Sequence, residues 1–359
     1  MSASRAAVAM LLMLVAAIAA IQEAQATWPH YYDSYEGPMA ADPPAYYDVV
    51  EMSSSNDCPE VCTCPLAWPT AMYCDNRKLK EVPPVPSRMK YVYLSGNQIE
   101  GIKDDAFSNA TELSWLLVDN NQLLSDKVGK GVFSKMGSLE KLYLDHNNLT
   151  ALPTLPRSLH ELRASYNKLS KFGGSLGKLE NLTMLIMNNN KLKEDGLGAA
   201  FKGLKSLIQL DLSGNQLKKI PDSLPASIKM LYLDNNHIDA VPADFVNKFT
   251  GLQYLRLSHN AMTDAGVPAA VFNSTSLVEL GLGHNKLHKI PVVSEHLENL
   301  YLEANEIQEF TVSSFCGSPG SPLAYSRLRY LRMDGNNLTR SALPAEAFQC
   351  LRVASEILF

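Results

Sequence analysis

From residue 89 to residue 310, and once more near the C-terminus, apolar positions recur on one plan along this 359-residue chain. Eleven segments fit L-x-x-L-x-L-x-x-N-x-L, with Ile, Val, Met or Ala in place of some leucines. Their asparagines are Asn97, Asn121, Asn147, Asn167, Asn190, Asn215, Asn236, Asn260, Asn285, Asn305 and Asn336. The steps between them are 24, 26, 20, 23, 25, 21, 24, 25, 20 and 31 residues. Within each segment L-x-L alternates apolar and polar side chains, the period of a strand with one buried face. The asparagine stands where the chain must turn after the strand. Its amide both donates and accepts, so it can satisfy backbone groups left unpaired inside that turn.

A period of 20–29 residues marks a leucine-rich-repeat solenoid, in which stacked turns share one continuous apolar core. The fold expected is an α/β leucine-rich-repeat solenoid with a curved parallel sheet on its concave face. Prolines in "LPTLPRS" and "IPDSLPAS" disfavour long helices, so the convex side should be mostly irregular. The short steps of 20, 21 and 20 residues recur every third repeat.

Open ends of such a stack expose leucine core, and six cysteines sit where the ends fall. Cys58, Cys62, Cys64 and Cys74 cluster before the repeats; Cys316 and Cys350 follow them. The four clustered cysteines allow three pairings, which spacing does not decide. The 31-residue step contains "SSFCGSPGSPLAYS", an insertion expected to protrude as a loop, and a Cys316–Cys350 bridge would tie it to the chain end. A zinc site is the rival for the first cluster, but that cluster contains no histidine.

The N-terminus has the form of a secretory signal peptide: Arg5, an apolar run to about Ile21, then Ala24-Gln25-Ala26. Six acids and no Lys or Arg give residues 27–57 a charge of −6, and Arg5 cancels Glu23. The chain's net charge of −5 therefore leaves residues 58–359 at +1. An acidic tail on a near-neutral body argues against nucleic-acid binding. The organisation expected is a signal peptide (1–26), an acidic tyrosine-rich tail (27–57), an N-terminal cysteine cap (58–88), repeats (89–310) and a C-terminal enlarged repeat with its cap (311–359). The mature product should be secreted and extracellular, with no membrane anchor.

The Cys-x3-Cys-x-Cys-x9-Cys cluster, the repeats and the enlarged penultimate repeat together resemble the class II small leucine-rich proteoglycans. "PTAMYCDNRKL", "LYLDHNNLT", "KLKEDGLGAAFKGLKSL", "LQYLRLSHN" and "CLRVASE" carry the likeness, which spans essentially all of residues 58–359. The resemblance implies disulfides Cys58–Cys64, Cys62–Cys74 and Cys316–Cys350. It also implies a keratan-sulfate-bearing matrix proteoglycan that binds fibrillar collagen and regulates fibril assembly, diameter and spacing.

Five N-glycosylation acceptors occur, at Asn109, Asn148, Asn181, Asn273 and Asn337. The first four match glycosylated positions of similar proteins. Around Asn337 and Thr339 some members of the family carry a charged collagen-contacting pair, which is absent from this chain. In the tail, Tyr31, Tyr32, Tyr35, Tyr46 and Tyr47 lie beside acids, which resembles a substrate for tyrosine sulfation.

Concave positions two, four and six residues before each repeat asparagine collect Tyr91, Tyr93, Trp115, Tyr143, Tyr232, Tyr254, Tyr301 and Tyr330. Strand propensity alone favours tyrosine there. As a set, however, these aromatics with excess acid suit a rod rich in Lys, Arg and Pro. The collagen-contacting set expected is Asp234, Tyr232, Asp211, Arg256, Tyr254, Tyr143 and Asp145, with Asp234 also matching an acidic contact position of the family. His146, His259 and His284 each precede a repeat asparagine, in turns expected to hold them apart, so no metal or other cofactor is expected. No phosphate loop, nucleophile elbow or zinc-protease motif is present, which argues against an enzyme. The alternative function is a soluble repeat protein for growth factors, cell-surface receptors or innate-immune ligands. Pairing of two concave faces in a homodimer stays open.

Overall fold

The computed structural model of the protein describes residues 56–172, 176–317 and 325–359. The signal segment, the tail tyrosines Tyr31, Tyr32, Tyr35, Tyr46 and Tyr47, and residues 318–324 of the insertion lie outside them.

Among the described residues thirteen three-residue strands form one sheet: β1 (Ala71–Tyr73), β2 (Tyr91–Tyr93), β3 (Trp115–Leu117), β4 (Lys141–Tyr143), β5 (Glu161–Arg163), β6 (Met184–Ile186), β7 (Gln209–Asp211), β8 (Met230–Tyr232), β9 (Tyr254–Arg256), β10 (Glu279–Gly281), β11 (Asn299–Tyr301), β12 (Tyr330–Arg332) and β13 (Glu356–Leu358). They run parallel in chain order. Eleven are the strands of the repeat pattern. β1 and β13 extend the sheet into the caps. Arg77 stands where β1 would need a repeat asparagine, and the chain ends just after β13, so neither fits the template.

The middle residue of each repeat strand points inward, as Leu116, Leu142, Leu162 and Leu210 do with no exposure. Burying each such leucine contributes roughly 1.5–3 kcal/mol. Behind the strands, Phe133, Phe172, Phe201, Phe272 and Phe315 are fully buried. Between the strands lie short 3-10 turns such as Val246–Lys248 and Asp264–Gly266, a helical turn at Glu194–Leu197 and a six-residue helix, Ala345–Cys350, near the C-terminus.

All eleven repeat asparagines work alike. Asn147 donates through Nδ2 to the carbonyls of Val118 in the preceding turn and Leu144 in its own, at 3.0 and 3.1 Å. Its Oδ1 accepts from the backbone N–H of Leu123, again in the preceding turn, at 2.9 Å. The same backward acceptance recurs from Asn97 to Asn336. The residue before each asparagine has φ between 49° and 72°, the left-handed region, in every one of the eleven repeats. That single reversal re-aims the chain so that the asparagine faces inward. Gly or Asn fills the position six times; His146, Tyr166, His259, His284 and Ala304 adopt it at a cost of ~1–2 kcal/mol each.

Cys58 pairs with Cys64, Cys62 with Cys74 and Cys316 with Cys350, the connectivity that the family resemblance implied.

A tyrosine–arginine floor on the concave face

The flanking residues of each strand, and the residue two before each asparagine, form three rows along the concave face. In-register pairing sets Tyr143 beside Arg163, Tyr232 beside Arg256, and Tyr301 beside Arg332. The Arg163 guanidinium lies over the Tyr143 ring at 4.6 Å, and that of Arg256 over Tyr232 at 4.9 Å. Lys141 covers Trp115 at 4.0 Å. Cation–π contacts of this kind contribute about 0.5–2 kcal/mol each. They also hold the cations flat against the floor.

Several of the acids on this face pair with its cations and phenols. Glu161 Oε1 accepts from Arg163 Nε at 2.7 Å and from the Tyr143 hydroxyl at 2.8 Å. Glu279 accepts from Arg256 Nε at 2.7 Å, and Arg332 Nε donates to Asp334 at 2.8 Å. Glu161, Glu279 and Glu303 are 8%, 7% and 3% exposed. Asp211 is only 2% exposed and accepts from the Ser213 N–H at 2.8 Å. It therefore lies under the floor, where the sequence reading had placed it on the surface.

Burial pushes the Tyr143 hydroxyl well above its ordinary range, helped by Glu161. It raises the hydroxyls of Tyr232 and Tyr301 to about 12. These phenols stay protonated donors throughout the physiological range.

Asp145 and Asp234 are partly exposed and share a geometry. The Asp145 carboxylate accepts from the Ser165 N–H at 2.6 Å, and that of Asp234 from the Ser258 N–H at 2.7 Å. Burial raises both carboxyls, that of Asp234 to about 7 against the pull of Arg256. Ser165 and Ser258 did not figure among the expected site residues. A serine two before a repeat asparagine, one turn after an aspartate in that position, was the signal available. Tyr254 flanks the same patch on β9.

His146 stays apart, stacked on Tyr166, but His259 and His284 come together. His259 and His284 belong to adjacent turns, and register brings their rings into a stack 3.9 Å apart. Stacked parallel rings do not converge their nitrogens on one ion. Among the described residues no group of three metal-ligating side chains occurs. Asn109, Asn181, Asn273 and Asn337 are exposed and Asn148 is partly so. Among the described residues no helix is long and apolar enough to cross a membrane.

Residues 57–87 match the family described as "Leucine rich repeat N-terminal domain", and 226–287 match "Leucine rich repeat", as do 138–162 and 206–226. The chain is 53% identical to lumican of Coturnix japonica over 87% of this chain and 91% of that protein. It is 50% identical to fibromodulin of Bos taurus over 91% of this chain and 85% of that protein. Among solved structures, a chain of the octameric complex of Latrophilin 3, Unc5D and FLRT2 is 25% identical with a TM-score of 0.65. That match covers 83% of this chain and 82% of the other. A cysteine cap, eleven asparagine-stitched turns, an enlarged final repeat and half-identity to lumican and fibromodulin leave one assignment: the chain belongs to the class II small leucine-rich proteoglycans of the extracellular matrix.

Proposed function

We propose that this protein is secreted into the matrix, binds fibrillar collagen through its concave face, and regulates fibril assembly, diameter and spacing. The observation that carries this reading is the tyrosine–arginine floor. Tyr143 with Arg163 and Tyr232 with Arg256 give flat, weakly hydrated surfaces whose cations are already held in place. Such a floor costs little side-chain entropy on binding and suits the ridged, proline-rich surface of a triple helix. Asp145 and Asp234 stand in line with it and supply acceptors for collagen Lys and Arg. The five glycosylation acceptors stand off this floor, where keratan sulfate or N-glycan chains on them would hold neighbouring fibrils apart. The tail tyrosines, once sulfated, would add an anionic arm. The test is the turbidity of collagen I assembling with and without the protein. A delayed, lower rise that Tyr143→Ala with Tyr232→Ala abolishes is the expected result. An unchanged rise would sink the collagen reading and leave a soluble binding protein for growth factors, receptors or innate-immune ligands.

A further inference from the structure

Residues 168–229 contain ten lysines against five carboxylates, so this stretch carries +5 while the rest of 58–359 is net acidic. The repeat maps that charge onto one place. Lys168 and Lys191 stand one residue past their repeat asparagines, Lys193 and Lys218 three past, Lys171 and Lys219 four past. Equivalent positions of successive turns lie side by side. The Lys191 N–H donates to the Leu169 carbonyl at 2.9 Å and the Gln216 N–H to that of Leu192 at 3.0 Å. Six ammonium groups therefore share one flank of three consecutive turns, past the ends of β5, β6 and β7 and off the concave floor.

All six are exposed. None forms an ion pair within 4 Å among the described residues. Glu194, the acid set among them, is committed to the backbone: its Oε1 accepts from the N–H groups of Lys218 and Lys219. Asp195 is a carboxylate that remains beside the lysines. Some lysines elsewhere are paired, as Lys103 is with Glu81 at 3.1 Å and Lys205 with Glu180 at 2.9 Å; what sets these six apart is their gathering on one flank. An open groove of about 850 Å3 runs into the patch, lined in part by Ser170, Lys171, Lys191, Lys193 and Gln216.

Unpaired like charges gathered on a near-neutral body repel one another, and a polyanion relieves that repulsion. We propose that this flank binds a sulfated glycosaminoglycan chain laid across the three turns. Lysine is a compact charge with rotatable donors, suited to sulfates and carboxylates spread along a chain; arginine's fork suits bidentate recognition. Tyr166, two residues before Lys168, is exposed but already stacks on His146, and the six lysines, Ser170 and Gln216 add no row of aromatic faces, on which single-stranded nucleic acid depends.

The test uses the full-length secreted chain on immobilised heparin. One variant carries Lys168→Gln, Lys191→Gln, Lys193→Gln and Lys218→Gln. The control carries Lys103→Gln, Lys127→Gln, Lys205→Gln and Lys248→Gln, the same loss of charge taken from ion-paired lysines. The patch variant should bind about tenfold or more weakly at ~150 mM salt, with a shallower salt dependence, while the control stays near wild type. Three results would overturn the proposal: no retention of wild type at that salt, equal weakening in both variants, or competition by a single-stranded oligonucleotide as effective as that by free heparin.

Discussion

The carboxylate of Asp234 in one turn accepts a hydrogen bond from the backbone N–H of Ser258 in the next, at 2.7 Å. The acid thus serves the scaffold as well as any ligand. Burial raises its carboxyl to about 7, from ~3.9 in an unfolded chain. The folded state then binds more protons between those values. The stability this adds is fully present below pH ~4 and is lost as pH rises through ~7. Asp234→Asn keeps an acceptor oxygen and removes the titration. Thermal melts should show a melting point at pH 8 no lower than wild type and a flatter profile between pH ~4 and ~7. In a solid-phase assay the same folded variant should bind collagen I more weakly. Asp234→Ala, which orphans the Ser258 N–H, should cost about 1–3 kcal/mol.

Asn147 and its neighbour Asn148 should part company on substitution. Asn147→Ala orphans the Leu123 N–H and takes one donor from each of the Val118 and Leu144 carbonyls, which keep Asn121 and Asn167. That buried orphan costs about 1–3 kcal/mol, so a loss of that size is expected in urea unfolding. Asn148→Gln should move stability by no more than about 0.5 kcal/mol while removing any glycan-dependent shift on a gel.

The difference between those two residues was legible in the sequence. Spacing alone assigned Asn147 to the turn, because the pattern repeats often enough to exclude coincidence. The concave rows were legible too, since strand alternation fixes which of Tyr143 and Leu142 faces out. Lateral chemistry was not. Whether Asp211 is exposed depends on what the adjacent turns place over it, and a pattern within one repeat carries no information about that. The left-handed position was half-legible. Gly96, Asn120 and Gly214 suggest it, but His146, Tyr166 and Ala304 conceal it, because tertiary packing there overrides local preference. β1 and β13 went unseen because Arg77 replaces the asparagine in one and the chain stops beside the other.

The stacked pair His259 and His284 predicts a sensitivity to acid. Burial, with His284 adding to it, lowers His259 to about 4, from ~6.5 when unfolded. The imidazole is neutral when folded, so its contribution is fully present above pH ~6.5 and is lost as pH falls through ~4. Asn tolerates a φ of 54°, so His259→Asn should fold normally and lack this loss. Denaturant unfolding of both proteins at pH 4.5 and 7.5 checks it: the variant should gain relative to wild type at the lower pH.

Gly283 and Glu303 share one space. A Cβ on Gly283 would lie 2.8 Å from Glu303 Oε2, an atom that is buried and has no hydrogen-bond partner among the described residues. Gly283→Ala should therefore destabilise by about 1–3 kcal/mol through overpacking. Adding Glu303→Ala vacates the space, so the double variant should be more stable than the sum of the two losses predicts, by about 0.5–3 kcal/mol. A double-mutant cycle in urea gives the coupling directly; additive losses would refute the shared-space account.

Every repeat asparagine reaches backwards, to the turn already made. Leu123 waits for Asn147, Leu149 for Asn167, and Ile307 for Asn336. The stitching consequently has a direction, and it coincides with the direction of synthesis. A turn leaving the ribosome is left with an open seam until about one more repeat has emerged to close it. The growing protein always carries a single unfinished edge at its newest end, and β13 with the Cys316–Cys350 bridge finishes the last one.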